Sequence, residues 1–262
     1  MPDYRAIFEA VESTVIRVGS DNLPTEEIRK NLDEYKSFEG KKLSDADYYW
    51  VFVYVTFYSG FRAATVTARL PVIRKYFADF HLASSYGPQD IDRILHDPEM
   101  IKNRRKIQAC VENAQTFKEI VSQHGSFQGY IDSFAPKASS TNLMRLKREL
   151  QHRFVGLGRV TTFHVLTDIG MPVLRPDRVM CRVFKRFGLV ADEKDIEGVV
   201  KQGGKFAEHT GHPIRYIDIV FVAFGQVRST EFGLDRGICL EKNPRCSSCG
   251  AKEFCTYDGP AC

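Results

Sequence analysis

Apolar residues recur every three to four positions along much of the chain, a spacing that predicts α-helices. The clearest example covers residues 97–125. Asp97 suits the N-cap of this helix, Pro98 its first turn and Gly125 its C-terminal stop. The pattern therefore predicts one long amphipathic helix, with Arg104 and its basic neighbours on the polar side.

Two further helical patterns, at residues 140–154 and 160–170, lie on either side of the sequence VGLG. The run WVFVYVTFY is harder to assign, because β-branched and aromatic residues favour strands. Ser44 and Asp47 form a variant of an N-capping pattern just before it, and no hairpin signal follows. We therefore predict a buried helix in this stretch and an all-α protein.

Proline and glycine mark the stretch GMPVLRPD, residues 170–177, which is typical of a joint between two bodies. The longest apolar run, residues 48–58, is shorter than the roughly 20 residues that span a bilayer. The N-terminus lacks the basic and then apolar layout of a signal peptide. We therefore expect a cytoplasmic protein with no membrane partner.

Charge argues only weakly for an anionic partner, since the formal net charge is +4. The basic residues are nevertheless unevenly distributed, and residues 101–108 and 143–160 are locally rich in arginine and lysine. Each stretch could be an ordinary solvated helix face. Beside a phosphate-binding element, they would instead favour nucleic acid.

A glycine-rich turn lies within the second basic stretch, where Gly156 and Gly158 flank Leu157. Glycines allow close approach to outward-pointing backbone N–H groups, and the N-terminal end of the next helix favours a phosphate. This is the helix-hairpin-helix signature of proteins that bind the DNA backbone, and Arg159 would strengthen the contact. A simple turn between packed helices is the alternative.

Four of the seven cysteines are clustered near the C-terminus in the pattern C-x6-C-x2-C-x5-C. The four are Cys239, Cys246, Cys249 and Cys255. An odd total and tight clustering favour a metal site over disulfides. Zinc ribbons usually carry two C-x2-C knuckles, whereas four thiolates in a compact loop suit a [4Fe–4S] cluster. Zinc or a set of disulfides is the alternative, and Cys262 is expected to be a spare thiol.

Taken in order, VGLGRVTT, RPDRVMCRVFKRFG and the cysteine pattern resemble the helix-hairpin-helix DNA glycosylases of the endonuclease III type. In the middle of the chain, YSGFRAATVTARLPVIRKYFADF, DPEMIKNRRKIQACVENAQ and GSFQGYIDSF resemble the 3-methyladenine DNA glycosylase I family. The resemblance implies an all-α, two-lobed helix-hairpin-helix glycosylase fold with a C-terminal iron–sulfur cluster loop. A six-helix lobe, residues 45–170, would hold the hairpin, and residues 1–44 with 171–262 would form the iron–sulfur lobe.

The resemblance assigns the reaction to Asp177. In the superfamily an aspartate follows the hairpin, one helix later, at the start of another helix, and an Arg-Val pair lies five residues further on. Asp177 matches this pattern with Arg182 and Val183. Its carboxylate would stabilise positive charge on the sugar while the N-glycosidic bond breaks, and would orient or deprotonate water. Capping of the following helix is the alternative role for this side chain.

Two departures from these families bear on the reaction. Endonuclease III-type enzymes with lyase activity carry a Schiff-base lysine just after the hairpin, where this chain has Val160. An apolar side chain cannot attack C1′ of the sugar, so a monofunctional glycosylase without lyase activity is expected. In the 3-methyladenine family a glutamate followed by Trp-Gly recognises the base, and its counterpart here is Glu39, without the tryptophan.

A base that is flipped out of the duplex enters a pocket lined by side chains, and aromatic rings attract a cationic alkylated purine. Tyr49 and Trp50 are candidate walls of such a pocket. Phe61 and Arg62 follow the YSG segment, where the superfamily tends to place residues that enter or flank the lesion gap. At helical spacing, most of these aromatic residues would instead belong to the core.

The predicted cluster is expected to take no part in the hydrolysis, because breaking an N-glycosidic bond needs no electron. In the resembling enzymes it shapes a loop that presents basic side chains to DNA. Lys242 and Arg245, between the first two cysteines, fit that role. Exposed loop charge with no partner is the alternative.

The sequence therefore predicts a monomeric, cytoplasmic and nucleoid-associated DNA glycosylase that acts in base excision repair. Its expected substrate is double-stranded DNA that contains a damaged base, most specifically a methylated purine. Removal of another base, such as uracil, hypoxanthine or mispaired adenine, is the second hypothesis. A non-catalytic protein that uses the hairpin and the cluster to dock on DNA is the third.

Overall fold

The structure, a computed structural model, describes residues 2–39 and 43–259. It is all-α, as predicted: these residues contain no β-strand, and an isolated bridge pairs Ser229 with Leu234. The chain divides into two compact units. Unit 1 comprises Met1–Lys41 and Pro172–Cys262, unit 2 comprises Lys42–Met171, and the boundary lies in the stretch 170–177.

Fourteen α-helices follow one another along the described part of the chain, five of them in unit 1 and nine in unit 2. They are α1 (Tyr4–Gly19), α2 (Thr25–Asp33), α3 (Asp45–Tyr58), α4 (Ala63–Thr67), α5 (Leu70–Phe77), α6 (Phe80–Ala83), α7 (Pro88–His96), α8 (Arg104–His124), α9 (Phe127–Asp132), α10 (Ser140–Arg153), α11 (Thr161–Asp168), α12 (Arg178–Arg186), α13 (Ile196–Thr210) and α14 (Ile214–Gly225). Single 3-10 turns lie at Glu34–Ser37, Thr230–Phe232, Cys246–Ser248 and Lys252–Phe254.

The core of unit 1 is built from aromatic rings on four of its helices. Phe221 of α14 lies 4.9 Å from Phe206 of α13 and 5.1 Å from Phe184 of α12, measured between ring centroids. Phe8 of α1 lies 6.0 Å from Phe221, and all four side chains are buried. Such tilted and edge-to-face pairs stabilise a core beyond the apolar area that they bury. Helix α12, which follows Asp177, is therefore held firmly in unit 1.

The core of unit 2 confirms that the run WVFVYVTFY is helical. It lies in α3, where the Ser44 hydroxyl accepts the Asp47 N–H and the Asp47 carboxylate accepts the Ser44 N–H. Phe52 of this helix contacts Phe117 and Phe127, whose rings stack at 4.3 Å. Packing of this kind around an apolar helix outweighs the strand propensity of its residues.

The long helix predicted at residues 97–125 begins later than expected. It is α8, with the Asn103 side chain as its N-cap and with Gly125 in the left-handed conformation at its end, as predicted. The assignment of the N-cap to Asp97 is wrong, because Asp97 ends the preceding helix α7 in an extended conformation. Pro98 explains this, since the residue before a proline is pushed out of the helical region.

Unit 2 has nine helices and not the six expected, and prolines begin two of the additional ones. Pro71 lies in the first turn of α5 and Pro88 in the first turn of α7. A proline is tolerated there but would remove a hydrogen bond inside a longer helix. Across residues 2–39 and 43–259, no helix combines the length and the apolarity that crossing a membrane requires.

Candidate functional site

The predicted hairpin joins α10 to α11 as an exposed turn. Gly156 has φ +85°, in the left-handed region that glycine adopts readily. Leu157 is only 5% exposed and anchors the turn, whereas Gly156, Gly158 and Arg159 are exposed. The Gly158 N–H donates to Thr161 Oγ1 at 2.6 Å. One short segment thus carries all four hairpin residues proposed from the sequence, with its glycines open to an approaching ligand.

A residue that the sequence analysis missed fixes this hairpin. Asn113 of α8 is buried, and its side-chain amide donates to the Val155 carbonyl at 3.0 Å while its oxygen accepts the Val155 N–H at 2.7 Å. A polar residue within the apolar face of a long helix was the available signal. The two hydrogen bonds set the position of the chain just before Gly156.

Val160, which the resemblance places at the position of the lyase lysine, is half-buried at the N-cap position of α11. Its carbonyl accepts the backbone N–H groups of Phe163 and His164. The side chain carries no group that could act as a nucleophile.

Asp177 is the N-cap of α12, which confirms its predicted capping role. Its carboxylate accepts the Met180 N–H at 2.9 Å. Its own N–H donates to the Arg175 carbonyl at 2.9 Å. The side chain is half-buried, and a carboxylate has more acceptor positions than this single cap uses. Backbone and side chain of Asp177 are therefore both fixed.

The four clustered cysteines lie around one pocket of unit 1. Cys239, Cys249 and Cys255 are free thiols, and Cys246 is disulfide-bonded. Within the described ranges, no three or more histidine, cysteine, aspartate or glutamate side chains are grouped as ligands for a metal ion. Cys262, the expected spare thiol, lies outside the described residues. The fold thus gathers the four cysteines, but not as a set of four free thiols.

Two buried arginines of α12 point at the first cysteine of this group. Arg186 donates to the Cys239 sulfur at 3.2 Å and to the Leu240 carbonyl at 2.7 Å. Arg182 donates to the Cys239 carbonyl at 3.2 Å. Burial raises the pKa of the Cys239 thiol, and the hydrogen bond from Arg186 opposes that rise. The two cations suit a pocket that receives a negatively charged group.

The two basic residues of the cysteine loop differ in their surroundings. Lys242 is exposed. Arg245 is half-buried and donates through its guanidinium to the Arg236 carbonyl at 3.1 Å. The backbone N–H of Arg245 also donates to the Ile238 carbonyl at 2.8 Å. Lys242 therefore extends into solvent, while Arg245 also stabilises its own loop.

The aromatic residues of α3 separate into core and surface. Tyr49 is 0% exposed, and its hydroxyl donates to the Cys110 carbonyl at 3.0 Å. It therefore packs in the core of unit 2 and does not form the wall of an open pocket. Trp50 is half-buried, and its ring lies 5.3 Å from the Arg74 guanidinium. Neighbouring positions on a helix point about 100° apart, which separates these two rings.

Phe61 and Arg62 lie in the turn between α3 and α4. The Phe61 ring is 37% exposed, which is high for so large an apolar side chain, and Arg62 is exposed. Arg62 is also the N-cap residue of α4, without a capping side-chain hydrogen bond. Both side chains are therefore open to solvent at one end of α3.

Glu39 lies in unit 1, close to the start of α14. One of its carboxylate oxygens accepts the Arg215 N–H at 3.0 Å. The first N–H groups of a helix have no partner within the helix, so Glu39 satisfies one of them. This structural role was not predicted from the sequence.

Comparisons with known proteins agree with the fold. A family model described as methyladenine glycosylase matches residues 32–171. The fold is similar to that of endonuclease III in a trapped covalent complex with DNA, with 17% identity, 89% of this chain and 96% of that chain covered, and a TM-score of 0.54. It is also similar to the 8-oxoguanine DNA glycosylase of Methanocaldococcus jannaschii, with 13% identity, coverages of 84% and 95%, and a TM-score of 0.52.

A third solved structure overlaps a smaller part of the chain. It is the 3-methyladenine DNA glycosylase I of Staphylococcus aureus, with 22% identity, 55% of this chain and 85% of that chain covered, and a TM-score of 0.45. The two structures with higher TM-scores confirm the predicted helix-hairpin-helix glycosylase fold.

Proposed function

The chain belongs to the methyladenine glycosylase family, and from this premise we propose that it is a monofunctional glycosylase that removes a methylated purine, of the 3-methyladenine type, from double-stranded DNA. Membership of the family makes the chain a DNA glycosylase of base excision repair. The match over residues 32–171, more than half of the chain, is the observation that carries the proposal.

Asp177 is the proposed catalytic carboxylate. Cleavage of the N-glycosidic bond builds positive charge on the sugar, and a nearby carboxylate stabilises that charge and orients or deprotonates the attacking water. The hydrogen bond from the Met180 N–H supports this role, because it fixes the direction of the side chain before substrate arrives. A methylated purine cation is already a good leaving group, so the carboxylate is the main chemical contribution required of the protein.

The absence of lyase activity rests on Val160. A lyase needs an amine that attacks C1′, and valine offers none at this position. Incubation with damaged duplex and borohydride should therefore give free base without a covalent protein–DNA adduct. A trapped adduct would show that another amine of the chain acts as the nucleophile.

The exposed hairpin is the proposed contact to the DNA backbone. Its exposed glycines and the N-terminal end of α11 suit a phosphate, and Arg159 adds positive charge. Lys242, which extends into solvent, and Arg245 are proposed further contacts. Because such contacts release counterions, affinity for undamaged duplex should fall as salt rises.

Three side chains of unit 2 are proposed to contact the flipped base or to lie at the lesion gap, namely Trp50, Phe61 and Arg62. The exposure of Phe61 and Arg62 supports the assignment, since an aromatic face or a cation must be open to meet an unstacked base, and Trp50 is half-buried. Glu39 is the proposed base-recognising carboxylate of unit 1. Its second oxygen would serve, since the first accepts the Arg215 N–H.

A [4Fe–4S] cluster bound by Cys239, Cys246, Cys249 and Cys255 is part of the proposal. The fit is supported by the common pocket of the four side chains and by the buried Arg182 and Arg186, since a cluster with four thiolates is an anion. Binding would require Cys246 as a free thiolate, so cluster and disulfide exclude one another at this residue. When bound, the cluster would brace the loop that carries Lys242 and would take no part in hydrolysis.

Iron and acid-labile sulfide in anaerobically purified protein test the cofactor. Wild type should contain both, and Cys249→Ser should lose them, while Cys110→Ser, a buried thiol of unit 2, should keep them. Zinc without sulfide would favour the zinc alternative. A disulfide at Cys246 in protein without metal would favour the structural alternative.

The reaction is tested by release of free base from duplexes that carry 3-methyladenine, uracil, hypoxanthine or adenine opposite a mispaired base. The proposal expects release from the methylated duplex and a loss of about 10²-fold or more in Asp177→Asn, as expected for a main charge-stabilising group. Release from another duplex only would identify a different substrate. DNA binding without release from any duplex would indicate a non-catalytic docking protein.

A further inference from the structure

A buried acidic residue lies in the middle of an otherwise apolar helix of unit 1. Asp218 of α14 is 0% exposed, and the buried residues around it on this helix are aliphatic or aromatic. A carboxylate in such a place costs several kcal/mol unless it is paired with cations and hydrogen-bonded. The partners of Asp218 therefore indicate what the residue is for.

The Asp218 carboxylate accepts hydrogen bonds from both the backbone and the side chain of Arg175. One carboxylate oxygen accepts the Arg175 backbone N–H at 3.3 Å, and the other accepts the Arg175 guanidinium at 2.7 Å. The second oxygen also accepts from the Arg215 guanidinium at 2.5 Å. Two cations compensate the buried charge, while the main-chain contact fixes the position of residue 175 itself.

Arg175 in turn holds Asp177. Its carbonyl accepts the Asp177 N–H at 2.9 Å. The residue between them is Pro176, whose ring fixes its own φ near −65°. A continuous path of direct hydrogen bonds thus leads from the buried carboxylate of Asp218, through Arg175, to the backbone of the N-cap residue of α12.

We propose that Asp218 is a positioning residue for the glycosylase reaction, which fixes Arg175 and thereby the direction of the Asp177 carboxylate. The inference rests on the proposed function, in which Asp177 is the catalytic group. Asp218 is fully buried and so acts through Asp177 without contacting DNA. Its effect on rate would arise from geometry, since a misplacement of about 1 Å can cost about 10²-fold.

Single-turnover release of base from methylated duplex tests the proposal in wild type, Asp218→Asn, Arg175→Lys, Asp177→Asn and the double variant Asp177→Asn/Asp218→Asn. Asp218→Asn and Arg175→Lys should each lower the rate per folded molecule by about 10- to 100-fold. Affinity for undamaged duplex should stay within about twofold. In the Asp177→Asn background, Asp218→Asn should add no further loss, because both changes act through one carboxylate.

Arg215→Lys is the matched control. Arg215 contacts the same carboxylate, but its backbone N–H is bound by Glu39. This variant should lower thermal stability and leave the rate within about twofold of wild type. An equal loss of rate in Arg215→Lys and Arg175→Lys, additive losses in the double variant, or a wild-type rate in Asp218→Asn would each overturn the inference.

Failure of a variant to fold and failure of the proposed catalytic role can be distinguished from failure of the positioning role. Should Asp218→Asn fail to fold, Arg175→Lys takes its place, because it keeps the positive charge that Asp218 requires. Its rate should then be lower than that of wild type, and it should add no further loss when combined with Asp177→Asn. A wild-type rate in Asp177→Asn alone would instead refute the proposed catalytic role of Asp177. If Asp177→Asn is slow while Asp218→Asn and Arg175→Lys both keep the wild-type rate, the catalytic role of Asp177 stands and only the positioning role of Asp218 is refuted.

Discussion

The ammonium group of Lys106 lies 5.5 Å from the centre of the Phe61 ring. It also donates to the Ser59 carbonyl at 2.7 Å and to the Thr56 carbonyl. Both carbonyls belong to the C-terminal end of α3, where a positive charge is favourable. One side chain of α8 therefore stabilises the end of α3 and the turn that carries two proposed DNA contacts.

Replacement of Lys106 by methionine should destabilise the protein. Methionine keeps most of the apolar stem but leaves the two carbonyls without their donor, which should cost about 1–3 kcal/mol of unfolding free energy. Urea unfolding measures this loss. Lys118→Met, on an exposed position of the same helix, is the matched control and should stay within about 0.5 kcal/mol of wild type. Equal stabilities of the two variants would contradict the expectation.

Replacement of Asn113 by alanine should loosen the hairpin. The change removes both hydrogen bonds to Val155 and should lower the unfolding free energy by about 1–3 kcal/mol. Affinity for undamaged duplex, measured by fluorescence anisotropy, should fall in parallel, because the hairpin is the proposed phosphate contact. Asn113→Asp keeps the acceptor but buries an unpaired carboxylate beside the Val155 carbonyl, so it should destabilise the protein at least as much as alanine. Unchanged DNA affinity in Asn113→Ala would separate the hairpin from DNA binding.

The two hairpin glycines should respond differently to alanine. At Gly156 the backbone has φ +85°, so a Cβ there should cost about 1–2 kcal/mol of stability. At Gly158 a Cβ would meet only the Thr161 hydroxyl, at an ordinary 3.7 Å, so the fold should tolerate it. The added methyl of Gly158→Ala should nevertheless hinder a phosphate and weaken DNA binding. Thermal unfolding measures the stability of the two variants, and fluorescence anisotropy measures their affinity for DNA. Wild-type affinity in Gly158→Ala would count against the hairpin as a phosphate site.

Stability should depend on pH through His212, whose ring lies 5.3 Å from that of Phe8 and 4.9 Å from that of Tyr216. Burial lowers the pKa of His212, while Glu12 opposes the shift and Lys36 and Arg5 add to it. The unfolded chain then binds a proton more readily, so stability is complete above the ordinary value of about 6.5 and declines as pH falls below it. Unfolding free energies at several pH values should show a weaker decline in His212→Gln. An identical decline in both proteins would exclude this residue as the cause.

Loss of the Arg186 guanidinium should weaken retention of the proposed cluster. Arg186→Gln removes the donor to the Cys239 sulfur, and changes beside a metal ligand typically cost about 10- to 100-fold in metal affinity. Release of iron to a chelator, followed by absorbance, should therefore be faster in this variant. Lys185→Gln, exposed on the same helix, should match wild type. Equal release from both variants would remove Arg186 from the proposed site.

Local patterns in the sequence were enough to determine several features of this protein. The capping pair at Ser44 and Asp47 and the absence of a hairpin signal placed a helix on a run with strand propensity, as observed. Gly125 was correctly assigned to the end of α8, and Gly156 to an exposed turn between two helices. These features depend on residues within about four positions of one another, so the order of residues alone carries them.

Other features were decided only by packing. Whether Tyr49 or Trp50 faces the core depends on which neighbours surround α3. The contacts between Asp218 and Arg175 and between Asn113 and Val155 join residues more than 40 positions apart. No spacing rule predicts such pairs, because they arise when separate elements pack together. The sequence alone thus determined the helices, the hairpin and the family resemblance, whereas the tertiary structure determined which buried polar groups fix the proposed functional residues in place.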